Sequence, residues 1–163
     1  MTGQRLTHLS GEGEARMVDV SAKPVTARTA TAAARVLLSP ECVAALRDQV
    51  VPKGDVLAVA RISGIMAAKK TPDLIPLCHP LFLSGVDVTA EVTDDGVEIT
   101  ATVRTTERTG VEMEALTAVS VAGLAVIDMI KAIDRSAVIT DVRVLAKSGG
   151  RSGDWRRPED DSR

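Results

Sequence analysis

Apolar residues fall on every second position in two runs between Val86 and Val103. Val86, Val88, Ala90 and Val92 alternate with Asp87, Thr89 and Glu91, and Val97, Ile99, Ala101 and Val103 resume the same period. Asp94-Asp95-Gly96 between the two runs reads as a turn, so the stretch predicts a β-hairpin with one buried face. Val25 to Leu38 is built mostly of Thr, Ala, Arg and Val, a composition open to helix or strand. Its threonines favour strand. A last strand is expected from Val138 to Ala146, running into Lys147-Ser148-Gly149-Gly150.

Helices are announced by their first turns. Ser39 as N-cap with Pro40 behind it starts a helix expected to reach about Val50. Pro52-Lys53-Gly54-Asp55 opens a second, with Asp55 as cap and a body from Val56 to Ala68. A long third helix is expected from about Val111 to Asp134. Helices and antiparallel strands in this order predict an α+β fold, with the helices covering one face of a sheet. No internal repeat is visible.

At 163 residues the chain fits one domain. Residues 1–16 are polar and glycine-bearing and are expected to be a mobile segment, 17–154 the domain, and 155–163 a charged tail. The content is 45% hydrophobic, yet Phe82 and Trp155 are the only Phe, Tyr or Trp residues. The core must therefore be packed from small aliphatic side chains, which favours close contact between elements. Acidic and basic residues nearly balance, 22 against 20, so no overall field steers the chain to nucleic acid. Aromatic platforms for stacking bases are missing too. Cys42 and Cys78 form no zinc pattern with His8 and His79. Free thiols suit a reducing compartment, and no signal peptide is read at the N-terminus. The apolar stretch 111–133 carries Glu112, Glu114, Asp128 and Lys131, against a membrane span. A soluble, cytoplasmic protein is expected.

The chemistry centres on Lys69 to Pro80. Pro76 and Pro80 bias Ile75 and His79 to extended backbone, which aims His79 in one direction near Lys69 and Lys70. A rigid backbone, a titratable ring and positive charge suggest a pocket for an anion; a loop packed on the core is the alternative. On the long helix, Glu114, Thr117, Asp128, Lys131 and Arg135 fall within an arc of roughly 100°. Glu114 and Asp128 lie some 21 Å apart at about 1.5 Å rise per residue. Two copies packed antiparallel would bring one chain's Glu114 end beside the other's Asp128 end, making a shared site.

Individual residues have two readings each. Thr109-Gly110-Val111-Glu112 matches a capping box, in which Glu112 satisfies a backbone amide. Asp128 and Lys131 form either an i,i+3 ion pair or an acid–base pair with shifted pKa values. The apolar neighbours Val126-Ile127 and Met129-Ile130 favour the latter, since a buried carboxylate is costly without a partner. Lys53 precedes a helix N-terminus, where anions are favoured, yet the residues alone favour a solvated surface lysine. The Lys147-to-Gly153 stretch has its lysine ahead of the glycines, so it is not a P-loop; a phosphate wrap and a flexible tail both fit.

Taken together, several motifs resemble one family. They are Met17-Val18-Asp19-Val20-Ser21, Lys53-Gly54-Asp55, Asp73-Leu74-Ile75-Pro76-Leu77-Cys78-His79-Pro80, and Thr109 to Ala118. Asp128-Met129, Lys131-Ala132 and Lys147-Ser148-Gly149-Gly150 complete the set. The chain resembles the cyclic pyranopterin monophosphate synthases, the molybdenum cofactor biosynthesis protein C family. The resemblance implies a ferredoxin-like α+β fold, and a hexamer of three dimers with sites at subunit interfaces. It implies conversion of a 3′,8-cyclised dihydroguanosine triphosphate to cyclic pyranopterin monophosphate, with release of diphosphate. It assigns Leu77, Cys78, His79, Met113 and Glu114 to substrate binding and Asp128 to the active site. Glu112 becomes a site residue by its place in the same motif, and Lys53, Lys131 and Lys147 become catalytic or phosphate-facing lysines. The conversion needs no redox step, and no cofactor or metal is expected. Two other classes remain in view: a non-catalytic regulatory module for an anionic metabolite, and a structural oligomer.

Overall fold

The computed structural model describes residues 14–158; most of the segment expected to be mobile, and residues 159–163 of the expected tail, lie outside them. The elements follow in the order β1 (Thr26–Leu37), α1 (Pro40–Arg47), α2 (Val56–Ala68), α3 (Thr71–Leu74), β2 (Leu83–Val92), β3 (Gly96–Glu107), α4 (Glu112–Ile130), β4 (Val138–Ser148) and β5 (Trp155–Arg156). The sheet runs β2-β3-β1-β4-β5, and every pairing in it is antiparallel. Leaving aside the two-residue β5, this is a ferredoxin-like α+β arrangement with the helices packed on one side.

The alternation read from the sequence decides which face is covered. Ala30, Ala32, Ala34 and Val36 of β1, Val97, Ile99, Ala101 and Val103 of β3, and Val88 and Ala90 of β2 all enter one core. They meet Ala115, Ala118, Val119, Ala122 and Val126 of α4. Each fully buried Val or Ile contributes about 1.5–3 kcal/mol, and the alanines let α4 lie close to the sheet. Gly64 of α2 extends that economy of space. A Cβ there would sit 3.0 Å from the Ala118 carbonyl oxygen, so glycine sets how near α2 and α4 approach.

Caps set the helix boundaries. Ser39 Oγ accepts from Cys42 N at 3.3 Å, and Asp55 Oδ1 accepts from Ala58 N at 2.9 Å. Three helical features differ from the sequence reading. The first helix stops at Arg47, because Gln49 turns to φ 57° and Val50 N folds back onto the Ala45 carbonyl. The long helix stops at Ile130 rather than Asp134. There Ile133 N bonds Ile130 O at 2.8 Å, a tighter turn, and the Asp134 carboxylate is taken up by Ser39 N and Ser136 N. The third is α3, a single turn that the proline-rich loop hid, with Pro72 tolerated in its first turn. In the stretch expected to be tail, Trp155 and Arg156 pair with Lys147 and Ala146.

Candidate active site

The N-terminal end of α4 opens on a cavity of about 1100 Å³. Leu77, Cys78, His79, Glu112, Met113 and Glu114, all singled out from the sequence, line it together. The proline-fixed loop before β2 supplies the first three, and the first turn of α4 the others. The segment before β1 and Arg28 form further wall.

Glu114 is the buried carboxylate of this site, only 3% exposed. Burial raises its pKa from 4.5 to about 7, and the neighbouring Glu112 charge adds to the rise. The same surroundings keep Cys78 a thiol: burial pushes its pKa up, helped by the charge of Glu114. Glu114 also carries a pH signature. Its folded-state pKa is raised, so between about 4.5 and 7 the folded chain holds a proton that the unfolded chain has released. Stability therefore falls as pH rises through that window, by up to about 3 kcal/mol. Glu114→Gln should flatten the slope in urea unfolding followed from about pH 5 to pH 8. An unchanged slope would assign the effect to another group.

The C-terminal end of α4 carries a different cluster. Asp128 receives Lys131 Nζ at 2.8 Å and Lys53 Nζ at 3.0 Å. Lys53 also donates to the Asp128 carbonyl oxygen at 2.7 Å, which ties the start of α2 to the end of α4. Gly54 makes that reach possible, since its φ of 97° turns the chain between Lys53 and the Asp55 cap. Hydrogen bonding by Lys131, then Lys53, together with their charges, holds the Asp128 carboxyl below its ordinary pKa. The sequence reading expected an acid embedded in apolar surroundings. The Asp128 side chain is instead 59% exposed, because its apolar neighbours in sequence project elsewhere around the helix. Arg135 leaves the expected stripe for a related reason: the helix has already ended.

Glu112 does not close a capping box. Val111 occupies the N-cap position with no side-chain cap bond, and Glu112 Oε1 accepts from Lys147 Nζ at 3.0 Å. Lys147 in turn reaches Ser152 Oγ at 3.3 Å. The turn after it packs on the start of β1: a Cβ on Gly149, at φ 86°, would lie 2.1 Å from the Ala27 carbonyl oxygen. A smaller cavity of about 170 Å³ adjoins this turn, lined by Lys23, Arg28, Arg108, Glu112 and Lys147 among others. Sequence reasoning gave Lys23, Arg28 and Arg108 no role. The available signal was weak: Arg28 is one of two long cationic side chains, with Arg35, in a strand otherwise rich in Ala and Thr.

The chain thus separates the residues singled out from the sequence. The His79–Glu114 cavity, with the Glu112–Lys147 pair, lies at one end of α4, and the Lys53–Asp128–Lys131 cluster at the other.

A ferredoxin-like α+β scaffold with lysines and carboxylates gathered at both ends of one helix defines a protein equipped for an anionic small molecule. The chain belongs to the MoaC family, whose pattern matches residues 17–150. It is 70% identical over 156 residues to a cyclic pyranopterin monophosphate synthase of Streptomyces griseus, covering 96% of this chain and 88% of that one. It is 67% identical to the protein of that name from a Nocardioides species, with 95% and 97% covered. Identity to the Chloroflexus aurantiacus protein of that name is 58%, with 94% and 95% covered.

Proposed function

We propose that this chain is a cyclic pyranopterin monophosphate synthase of molybdenum cofactor biosynthesis. It converts 3′,8-cyclo-7,8-dihydroguanosine 5′-triphosphate to cyclic pyranopterin monophosphate and releases diphosphate. The observation that carries the reading is the Lys53–Asp128–Lys131 cluster, at the opposite end of α4 from the Glu114 cavity, in a chain 67–70% identical to proteins of that name. Ring opening and rebuilding require several proton transfers, which suit lysines, an imidazole and a carboxyl group with a pKa near 7. An ionised Asp128 keeps two ammonium groups in place, so the lysines move protons while Asp128 orients them. Closing the cyclic phosphate takes attack of a ribose-derived hydroxyl on phosphorus, with the bond to diphosphate breaking. Cationic Lys53 and Lys147 stabilise the charge gathering on those oxygens. Leu77, Cys78, His79, Met113 and Glu114 bind the nucleotide in this scheme, with Glu112 holding Lys147.

The same proposal includes a site shared between two chains, in a hexamer built as three dimers. The helical separation of roughly 21 Å between Glu114 and Asp128 supports it, since one compact substrate cannot span both ends. So does a stripe of exposed apolar side chains at helical spacing on α2, Val59, Ile62 and Met66, with Leu124 of α4 also exposed. A cytoplasmic location completes the reading, supported by two free cysteines.

Incubating the purified protein with the cyclised nucleotide should release diphosphate and yield the cyclic monophosphate. Binding without turnover would instead indicate a regulatory module, and no binding a structural oligomer. Lys53→Ala and Lys147→Ala should each lower kcat/KM by about tenfold or more while the melting temperature moves little. Unchanged kinetics in both would return these lysines to the solvated surface.

A further inference from the structure

Residues 16–25 belong to no helix or strand, and most of them are exposed. Yet this strap forms wall of the large cavity through Val18, Asp19, Val20, Ala22, Lys23 and Pro24. Its internal bonds are local: Ser21 N to Asp19 Oδ1 and Lys23 N to the Val20 carbonyl, each 2.9 Å. Such a turn does not by itself fix where the strap lies on the body of the fold. Two side chains from that body do. His79 Nε2 donates to the Val18 carbonyl oxygen at 2.8 Å. Arg108 Nη1 donates to the carbonyl oxygens of Ser21, at 2.8 Å, and of Lys23.

We propose that Arg108 is a positioning residue that fastens the strap as a wall of the substrate cavity, and so sets affinity for the nucleotide rather than the rate of its chemistry. The inference rests on the functional reading above and deepens it. The two latches are not equivalent. Under that reading His79 engages the substrate, and a ring nitrogen turned to the nucleotide gives up the Val18 carbonyl. Arg108 also lines the smaller cavity, but its Nη1 is spent on the two strap carbonyls. Among the described residues it forms no salt bridge, so no carboxylate draws it from the two strap carbonyls. Its own backbone is braced, because Arg28 Nη2 donates to the Arg108 carbonyl at 3.1 Å and Arg28 Nε to the Glu107 carbonyl at 3.0 Å. A planar guanidinium reaches two carbonyls at once, and a lysine ammonium reaches them with less fixed geometry. The latch holds Lys23 beside Arg28 and Lys147 around the smaller cavity, where a phosphate-bearing substrate gains most from cations.

The test pairs hydrogen exchange on the substrate-free protein with steady-state kinetics on the cyclised nucleotide. Arg108→Ala should speed amide exchange within residues 16–25 and leave the sheet and α4 unchanged. It should raise KM about tenfold, as both contacts of the guanidinium to the strap are lost, with kcat held within about twofold. Arg108→Lys should recover most of both effects. Unchanged exchange in the strap overturns the proposal, and so does a loss carried by kcat with KM unmoved. The exchange measurement needs no turnover. A wild type that releases no diphosphate therefore defeats the functional reading, while the exchange data still decide the latch.

Discussion

Asp128→Asn should lower diphosphate release by about a hundredfold or more while the protein melts within a few degrees of wild type. The two halves of that expectation have separate causes. Stability is spared because the side chain is 59% exposed and because Lys53 retains its 2.7 Å bond to the Asp128 main-chain carbonyl. Activity is lost because an amide keeps the shape but not the charge. Lys53 and Lys131 then face each other without the anion that holds both at about hydrogen-bond distance, and neither ammonium keeps its fixed position. Initial rates and thermal melts on the same preparations make the comparison. Near-normal turnover in the variant would remove Asp128 from the chemistry.

The second large effect is recovery rather than loss. Glu114→Ala and Asp128→Ala chains should each be inactive alone. Mixed after dissociation and reassembled, they should regain about one quarter of wild-type activity. Random pairing makes about half of the dimers mixed, and in each mixed dimer one of two sites combines an intact Glu114 with an intact Asp128. Verified mixed oligomers that stay as inactive as their parents would end the shared-site proposal.

Glu114 and Asp128 show where sequence reading reaches and where it stops. They occupy nearly the same face of α4, and helical arithmetic treats them alike. The arithmetic placed the costly, buried carboxylate at Asp128 because Val126, Ile127, Met129 and Ile130 flank it in sequence. In the fold those side chains turn away around the helix axis, and Asp128 meets two lysines in the open. Glu114 lies where the loop bearing Leu77, Cys78 and His79 converges on the helix start, and it is the acid whose pKa is raised. Glu112 repeats the lesson. A local capping partner was visible in sequence, but Lys147, 35 residues away, takes the carboxylate.

Short-range patterns along the chain were enough for most of the elements and their covered faces. Period-two alternation gave the β2–β3 hairpin, Asp55 with Val56 to Ala68 gave α2 to the residue, and the alanine and valine composition required close packing of α4 on the sheet. Those properties are written in neighbours a few positions apart, and such spacing is all that hydrophobic burial and backbone hydrogen bonding need to choose a helix or a strand. Folding, by contrast, chose which acid is buried and which lysine meets which carboxylate, and it brought Lys23, Arg28 and Arg108 to the cavities. It also decided that α4 ends at Ile130, where Asp134 turns to Ser39 instead of continuing the helix. Apart from the i,i+3 pair of Asp128 with Lys131, these depend on partners brought from tens of residues away, and a hydrogen bond or ion pair of about 3 Å leaves no periodic trace along the chain.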